Sequence, residues 1–168
     1  MYDSITIANS ILYEMSNIRK EIRPLKLQKL LYYTAGFYYK KYGKDLLYPE
    51  YNFYKWGYGP IEPNIYHCFE KYKFNPICEL CVDKPLRAQE TALAGSLALK
   101  QNDIYIVSFD DKNFYEILNE VIFFYGLKSD FVLSKLTNKH DAWKETKNYY
   151  LINKDLIHQT FKKLDYGE

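Results

Sequence analysis

Apolar residues recur at helical spacing over most of this chain, and the places where that spacing breaks divide it into elements. Ile5, Ala8, Leu12 and Met15 fall on one face and predict a helix over about residues 4–18, with Asp3 or Ser4 as its cap. A second helix opens at Pro24, whose missing N–H costs nothing at the first helical position. Its apolar stripe is Leu27, Leu30, Leu31, Thr34, Phe37 and Tyr38. Lys40 and Lys41 sit in the last turn, and Gly43 supplies a left-handed stop. The same helix carries another stripe, Gln28, Tyr32, Ala35, Gly36 and Tyr39, which mixes small residues with polar-tipped rings and suits close approach by another element.

Residues 51–58 (YNFYKWGY) are aromatic and bounded by Pro49 and Gly57, which predicts a short strand or extended segment, with Gly59-Pro60 as a turn after it. Pro60 and Pro63 then precede a third helix with Ile61, Ile65, Phe69 and Tyr72 on its apolar face, ending over 73–76. Residues 87–100, rich in Ala and Leu, are read as a helix weakened by Gly95 and Ser96. Residues 104–107 are β-branched and read as a strand paired with 53–56. The last third is helical. Asp111, Ser129, Asp141 and Asn153 each precede an apolar-periodic run, and Gly126 ends the first of them. The expected fold is mainly α, about six helices with a small two- or three-stranded sheet, in one domain over 1–168.

Composition changes this picture little. At 168 residues and 48% hydrophobic, the chain can bury a core without a disulfide or metal staple. The balance of 23 basic and 21 acidic residues leaves +2, too little for a strongly electrostatic nucleic-acid binder, and no nucleic-acid partner is expected. The 19 tyrosines matter more, because Tyr is favoured where a surface must be both apolar and wet. Three cysteines make no disulfide framework, which together with the absence of a leader-like N-terminus leads to an expected cytoplasmic setting. No apolar run is long enough to cross a membrane.

Candidate chemistry is sparse. Gly57 and Gly59 run into Pro60, which has no N–H to offer a phosphate. Cys78 and Cys81 form a Cys-x-x-Cys near His67 and Cys68. Adjacent residues on a helix point about 100° apart, however, so His67 and Cys68 do not easily share an ion. The cysteines are therefore read as small apolar residues, with no metal and no cofactor expected. His140-Asp141, followed by Trp143, has no nucleophile beside it and is read as a cap and a hydrogen-bonded ring with Trp143 in the core.

Three stretches resemble one family. Residues 24–33 (PLKLQKLLYY) resemble the opening helix of the Panacea antitoxin domain, also called SocA-like. Residues 43–48 (GKDLLY) resemble its glycine-x-x-leucine step. Residues 56–66 (WGYGPIEPNIY) are similar to its tryptophan, glycine-proline and proline-x-x-tyrosine signature. Tyr125-Gly126 and the spacing of Leu133, Leu136, Thr137, His140 and Trp143 are similar to its C-terminal part. The likeness spans about 5–164, while 78–102 match no part of it.

The resemblance implies a mainly helical antitoxin, from a two-gene operon or a prophage, that neutralises a cognate toxin by direct binding and has no catalytic centre. Relatives often carry an additional DNA-binding domain, and none is expected here. Pro24, Leu27, Leu30, Trp56, Gly59, Pro60, Pro63, Tyr66, His140 and Trp143 are the motif positions, read as structural. Gln28, Tyr32, Tyr39, Trp56 and Tyr58 are the candidate partner-binding residues. The rival reading is an adaptor or holder that delivers a partner protein to a protease.

Overall fold

In the computed structural model, which describes residues 1–82, 99–101 and 104–168, helix α2 (Pro24–Tyr42) is the element the others surround. It packs against α1 (Ser4–Asn17), α3 (Pro63–Phe69), α4 (Lys112–Tyr125), α5 (Asp130–Thr137) and α7 (Lys154–Lys163). A single-turn helix, α6 (Asp141–Lys144), rests on α7, and a 3₁₀ turn (Glu70–Tyr72) continues α3. Seven α-helices therefore stand among the described residues, and the mainly α architecture expected from the sequence is the one observed.

Helix α2 is buried on nearly every side, which explains its two stripes. Leu27, Leu30, Leu31 and Phe37 of the first stripe are buried, and so are Gln28, Tyr32 and Gly36 of the second. Gly36 is small for a reason: a Cβ there would lie 2.2 Å from the Phe161 ring of α7. Gly43 (φ 64°) donates its N–H to Tyr39 O at 2.8 Å and closes the helix as expected.

The caps follow the sequence at three of the five expected starts. Asp111, Ser129 and Asn153 accept from Phe114, Val132 and Asp155 N–H groups. At α1 the N-cap residue is Asp3, but its carboxylate accepts the Tyr51 hydroxyl and does not cap the helix. At α6 the N-cap is His140, and Asp141 is already the first helical residue.

The β-structure differs from the expected pairing. β1 (Tyr54–Trp56) turns back through Gly57-Tyr58 onto β2 (Gly59–Ile61), with Tyr54 opposite Ile61 and Trp56 opposite Gly59. β4 (Ile104–Ile106) pairs with β3 (Leu99–Gln101), not with β1. A tight antiparallel hairpin is closed by its own sequence neighbours, whereas joining 104–107 to 53–56 would close a long loop. Leu99 and Lys100, assigned to a helix from the sequence, belong to β3, and the rest of the helix read over 87–100 lies outside the described residues.

Candidate partner-binding groove

The β1–β2 hairpin, the start of α2 and the turn after α3 meet at one corner, held by buried polar side chains of α2. Gln28 donates to Glu62 O (3.0 Å) and accepts from Glu62 N (2.8 Å), so both polar ends of its amide are used on one residue's backbone. Glu62 in turn caps α3, accepting from the Asn64 and Ile65 N–H groups. Lys29 is fully buried and donates Nζ to Pro60 O at 2.9 Å. With no ion-pair partner among the described residues, burial pushes its amine down to about 7.

Gly59 sits over this pair at φ 105°, and a Cβ there would meet Thr137 Oγ1 at 2.7 Å and Lys29 Nζ at 2.8 Å. The glycine-proline signature is thus a steric and hydrogen-bonding requirement of the corner.

On the outer side of β1, residues 149–152 run alongside. Lys55 N donates to Tyr150 O (2.9 Å), Tyr149 N to Lys55 O (2.7 Å) and Ile152 N to Phe53 O (2.9 Å). The Lys55 ammonium donates to Thr146 O at 2.8 Å and lies 4.1 Å from the Trp143 ring centre. Trp143 Nε1 donates to Trp56 O at 3.3 Å. Trp143 therefore ties α6 to the hairpin, and Trp56 is half-buried with its ring edge-on to Tyr66 at 4.9 Å.

Around Trp56 opens a groove of about 390 Å³. Its walls are Pro24 and Leu25 from α2, Tyr58 and Ile61 from the hairpin, Tyr66 from α3, and Phe74 and Tyr149 from the two flanking loops. Tyr58, Phe74 and Tyr149 are 72%, 88% and 76% exposed, unusual for rings gathered around one concavity. Arg23, Lys73 and Asp130 stand on its rim.

The residues read from the sequence as partner-binding do not share one surface. Trp56 and Tyr58 line the groove. Gln28 reaches it too, but is 2% exposed and its amide is occupied by Glu62. Tyr32 is wholly buried, with edge-on contacts to Phe53 and Phe161, and is a core ring in place of the surface contact expected. Tyr39, about 16 Å along α2 from Gln28, is stacked on His158, which contacts Asp45 at 2.9 Å.

Of the motif positions, Pro24 and Pro63 open α2 and α3, and Leu27, Leu30 and Pro60 are buried. Tyr66 is a groove wall as well as a motif residue. Phe74, Tyr149, Arg23 and Lys73 were not singled out by sequence. The available signal was a ring, Phe74, inside the polar break over 73–76 that ends at Pro76.

Among the described residues no nucleophile or second acid–base group is hydrogen-bonded to His140 in a catalytic arrangement. Its ring is buried among Tyr32, Tyr33 and Phe161, with Nδ1 3.4 Å from the Tyr32 hydroxyl, and burial holds its pKa down to about 4. The Cys-x-x-Cys is split: Cys81 forms a disulfide with Cys68, while Cys78 is exposed with Sγ 3.7 Å from the Tyr72 hydroxyl. This corrects the reading of all three cysteines as unpaired. Among the described residues no three His, Cys, Asp or Glu side chains gather as a metal site, and no helix is long and apolar enough to cross a membrane.

Residues 27–144 match a family model described as antitoxin SocA-like, Panacea domain. No curated protein and no solved structure matches the chain.

Proposed function

This chain belongs to the family of SocA-like antitoxins defined by the Panacea domain, and from that premise we propose that it is an antitoxin that neutralises a cognate toxin by binding it, with no chemistry of its own. The observation that carries the reading is the groove beside Trp56. Tyr58, Phe74 and Tyr149 offer large, rigid, amphipathic area to solvent, the residue types that anchor protein interfaces at low entropic cost. A concavity of about 390 Å³ takes one or two large anchor side chains. The surrounding exposed surface supplies the rest of a specific interface, roughly 1,200–2,000 Å² in total.

The family motif forms most of the groove wall, since Pro24, Leu25, Trp56, Tyr58, Ile61 and Tyr66 lie within its stretches. Gly59, Pro60, Glu62 and the buried start of α2 fix the corner, and residues outside the motif, Phe74 and Tyr149, complete the groove. The proposed setting is the cytoplasm, which rests on the toxin reading and not on the cysteines, since Cys68 and Cys81 are paired.

The test is growth. Expression of the product of the adjacent gene is expected to arrest cells, and co-expression of this chain to rescue them. The variant Tyr58→Ala/Phe74→Ala is expected to be as abundant and folded as the parent but not to rescue. Toxin levels in rescued cells separate sequestration from delivery to a protease; a stable toxin is expected. Failure to rescue from any neighbouring toxic product would overturn the reading.

A further inference from the structure

The groove carries more information than its apolarity. Arg23 and Lys73 are both exposed on its rim, and neither has an ion-pair partner among the described residues. The one acidic rim residue, Asp130, is attracted to Lys26 behind it. Helix α2 also begins here, with no side-chain cap and no acidic residue in its first turn, so its positive end adds to the same potential. An aromatic cleft is thereby edged by cationic charge that no described residue pairs with.

The strand edges beside the groove are already engaged. The outer edge of β1 is taken by residues 149–152. On β2, Pro60 has no N–H and its carbonyl accepts from Lys29, while both backbone groups of Glu62 are held by Gln28. No ladder is open at the hairpin, so an incoming strand has nothing to pair with.

Resting on the antitoxin reading above, we infer that the groove receives a partner segment presenting one or two aromatic or long aliphatic side chains flanked by carboxylates. The segment docks by its side chains and not as an added strand. Its apolar anchor enters between Trp56, Tyr58 and Phe74, and its carboxylates meet Arg23 and Lys73. Charge of this kind at a rim selects partners and speeds encounter more than it deepens affinity.

The inference is tested without any toxin. A library of random 12-residue peptides displayed on phage is selected on the immobilised full-length chain and depleted on Tyr58→Ala/Phe74→Ala, which focuses it on the groove without biasing its charge. Enriched peptides are expected to carry an aromatic residue, Leu, Ile or Met within about four residues of Asp or Glu. Their affinity is expected to fall about tenfold for R23E/K73E at low salt, with the gap narrowing at high salt. Both substituted residues are exposed, and an unchanged Tm verifies the fold. Basic or neutral consensus peptides, equal binding to R23E/K73E, no enrichment, or displacement of the peptides by a single-stranded oligonucleotide at lower concentration than by an acidic peptide would each overturn it. Rescue with failed peptide selection would place the toxin elsewhere on the surface. Acidic-peptide binding without rescue would leave the groove chemistry standing and remove the toxin.

Discussion

The ammonium of Lys29 reaches the carbonyl of Pro60 across 2.9 Å inside the protein, with no carboxylate in ion-pair range among the described residues. One buried amine thus links the central helix to the glycine-proline corner and, through it, to the wall of the groove. Its protonation is costly in the folded state, since burial lowers the amine from 10.5 to about 7. The unfolded chain therefore holds more protons than the folded one between about pH 7 and 10.5, so stability rises with pH across that window and is insensitive to this group below it.

Between pH 7.5 and 9.5 the gain is expected to be on the order of 2 kcal/mol, read as the urea midpoint at each pH. Lys29→Met, which keeps most of the volume and removes the charge, is expected to flatten this rise. A wild-type profile that is flat over the same range contradicts the buried-amine account.

His140 gives a second window on the acid side. Its folded pKa lies near 4 against 6.5, because the ring is buried among Tyr32, Tyr33 and Phe161. Unfolding then takes up a proton between those values, so stability falls as pH drops from 6.5 toward 4. From pH 6.5 to 5 the expected loss is about 1.5–2 kcal/mol. His140→Gln is expected to remove that slope while leaving rescue by the folded protein intact; loss of rescue without loss of Tm would instead point to a chemical role for the ring.

Gly59→Ala places a methyl against Thr137 Oγ1 and Lys29 Nζ at a backbone angle that L side chains rarely adopt. It is expected to cost about 2–4 kcal/mol. Thermal melts at fixed pH measure it. Gly57→Ala, with open space around its Cβ position, is expected to change Tm little.

The Cys68–Cys81 disulfide closes a 13-residue separation that includes Lys73 and Phe74. Asn9 holds the same segment by bonds in both directions to the Cys81 backbone, each 2.9 Å. Cys68→Ser/Cys81→Ser, or reduction, is expected to lower stability by about 2–4 kcal/mol and to weaken groove binding. Thiol labelling with mass spectrometry is expected to find one reactive cysteine, Cys78, in oxidised protein and three after reduction. The same labelling in intact cells reports which state the chain holds there.

These cases show what the sequence could and could not reveal. α2 was legible because Pro24, the 3–4 spacing of Leu27, Leu30 and Leu31, and Gly43 are local signals that agree with one another. The Asp111, Ser129 and Asn153 caps were legible for the same reason. Partnerships between distant segments were not. Nothing within a few residues of Gln28 says that its amide will clamp Glu62, or that Tyr32 will face Phe53 and His140, so a tyrosine in the core and a tyrosine on the surface look alike. The groove was half legible: Trp56 and Tyr58 lie in the motif, while Phe74 and Tyr149 join them only because a turn and residues 149–152 fold back beside β1. The three cysteines misled by their odd number, since pairing depends on Cα atoms meeting, here 6.4 Å apart, and not on parity.

The central claim is that this chain works by gripping its toxin at the groove beside Trp56. Calorimetric titration of the purified adjacent-gene product, in an inactivated form, tests it most directly. Saturable 1:1 binding is predicted, weakened at least about 100-fold by Tyr58→Ala/Phe74→Ala at unchanged Tm. Equal affinity for parent and variant, or no binding to the parent, would contradict it.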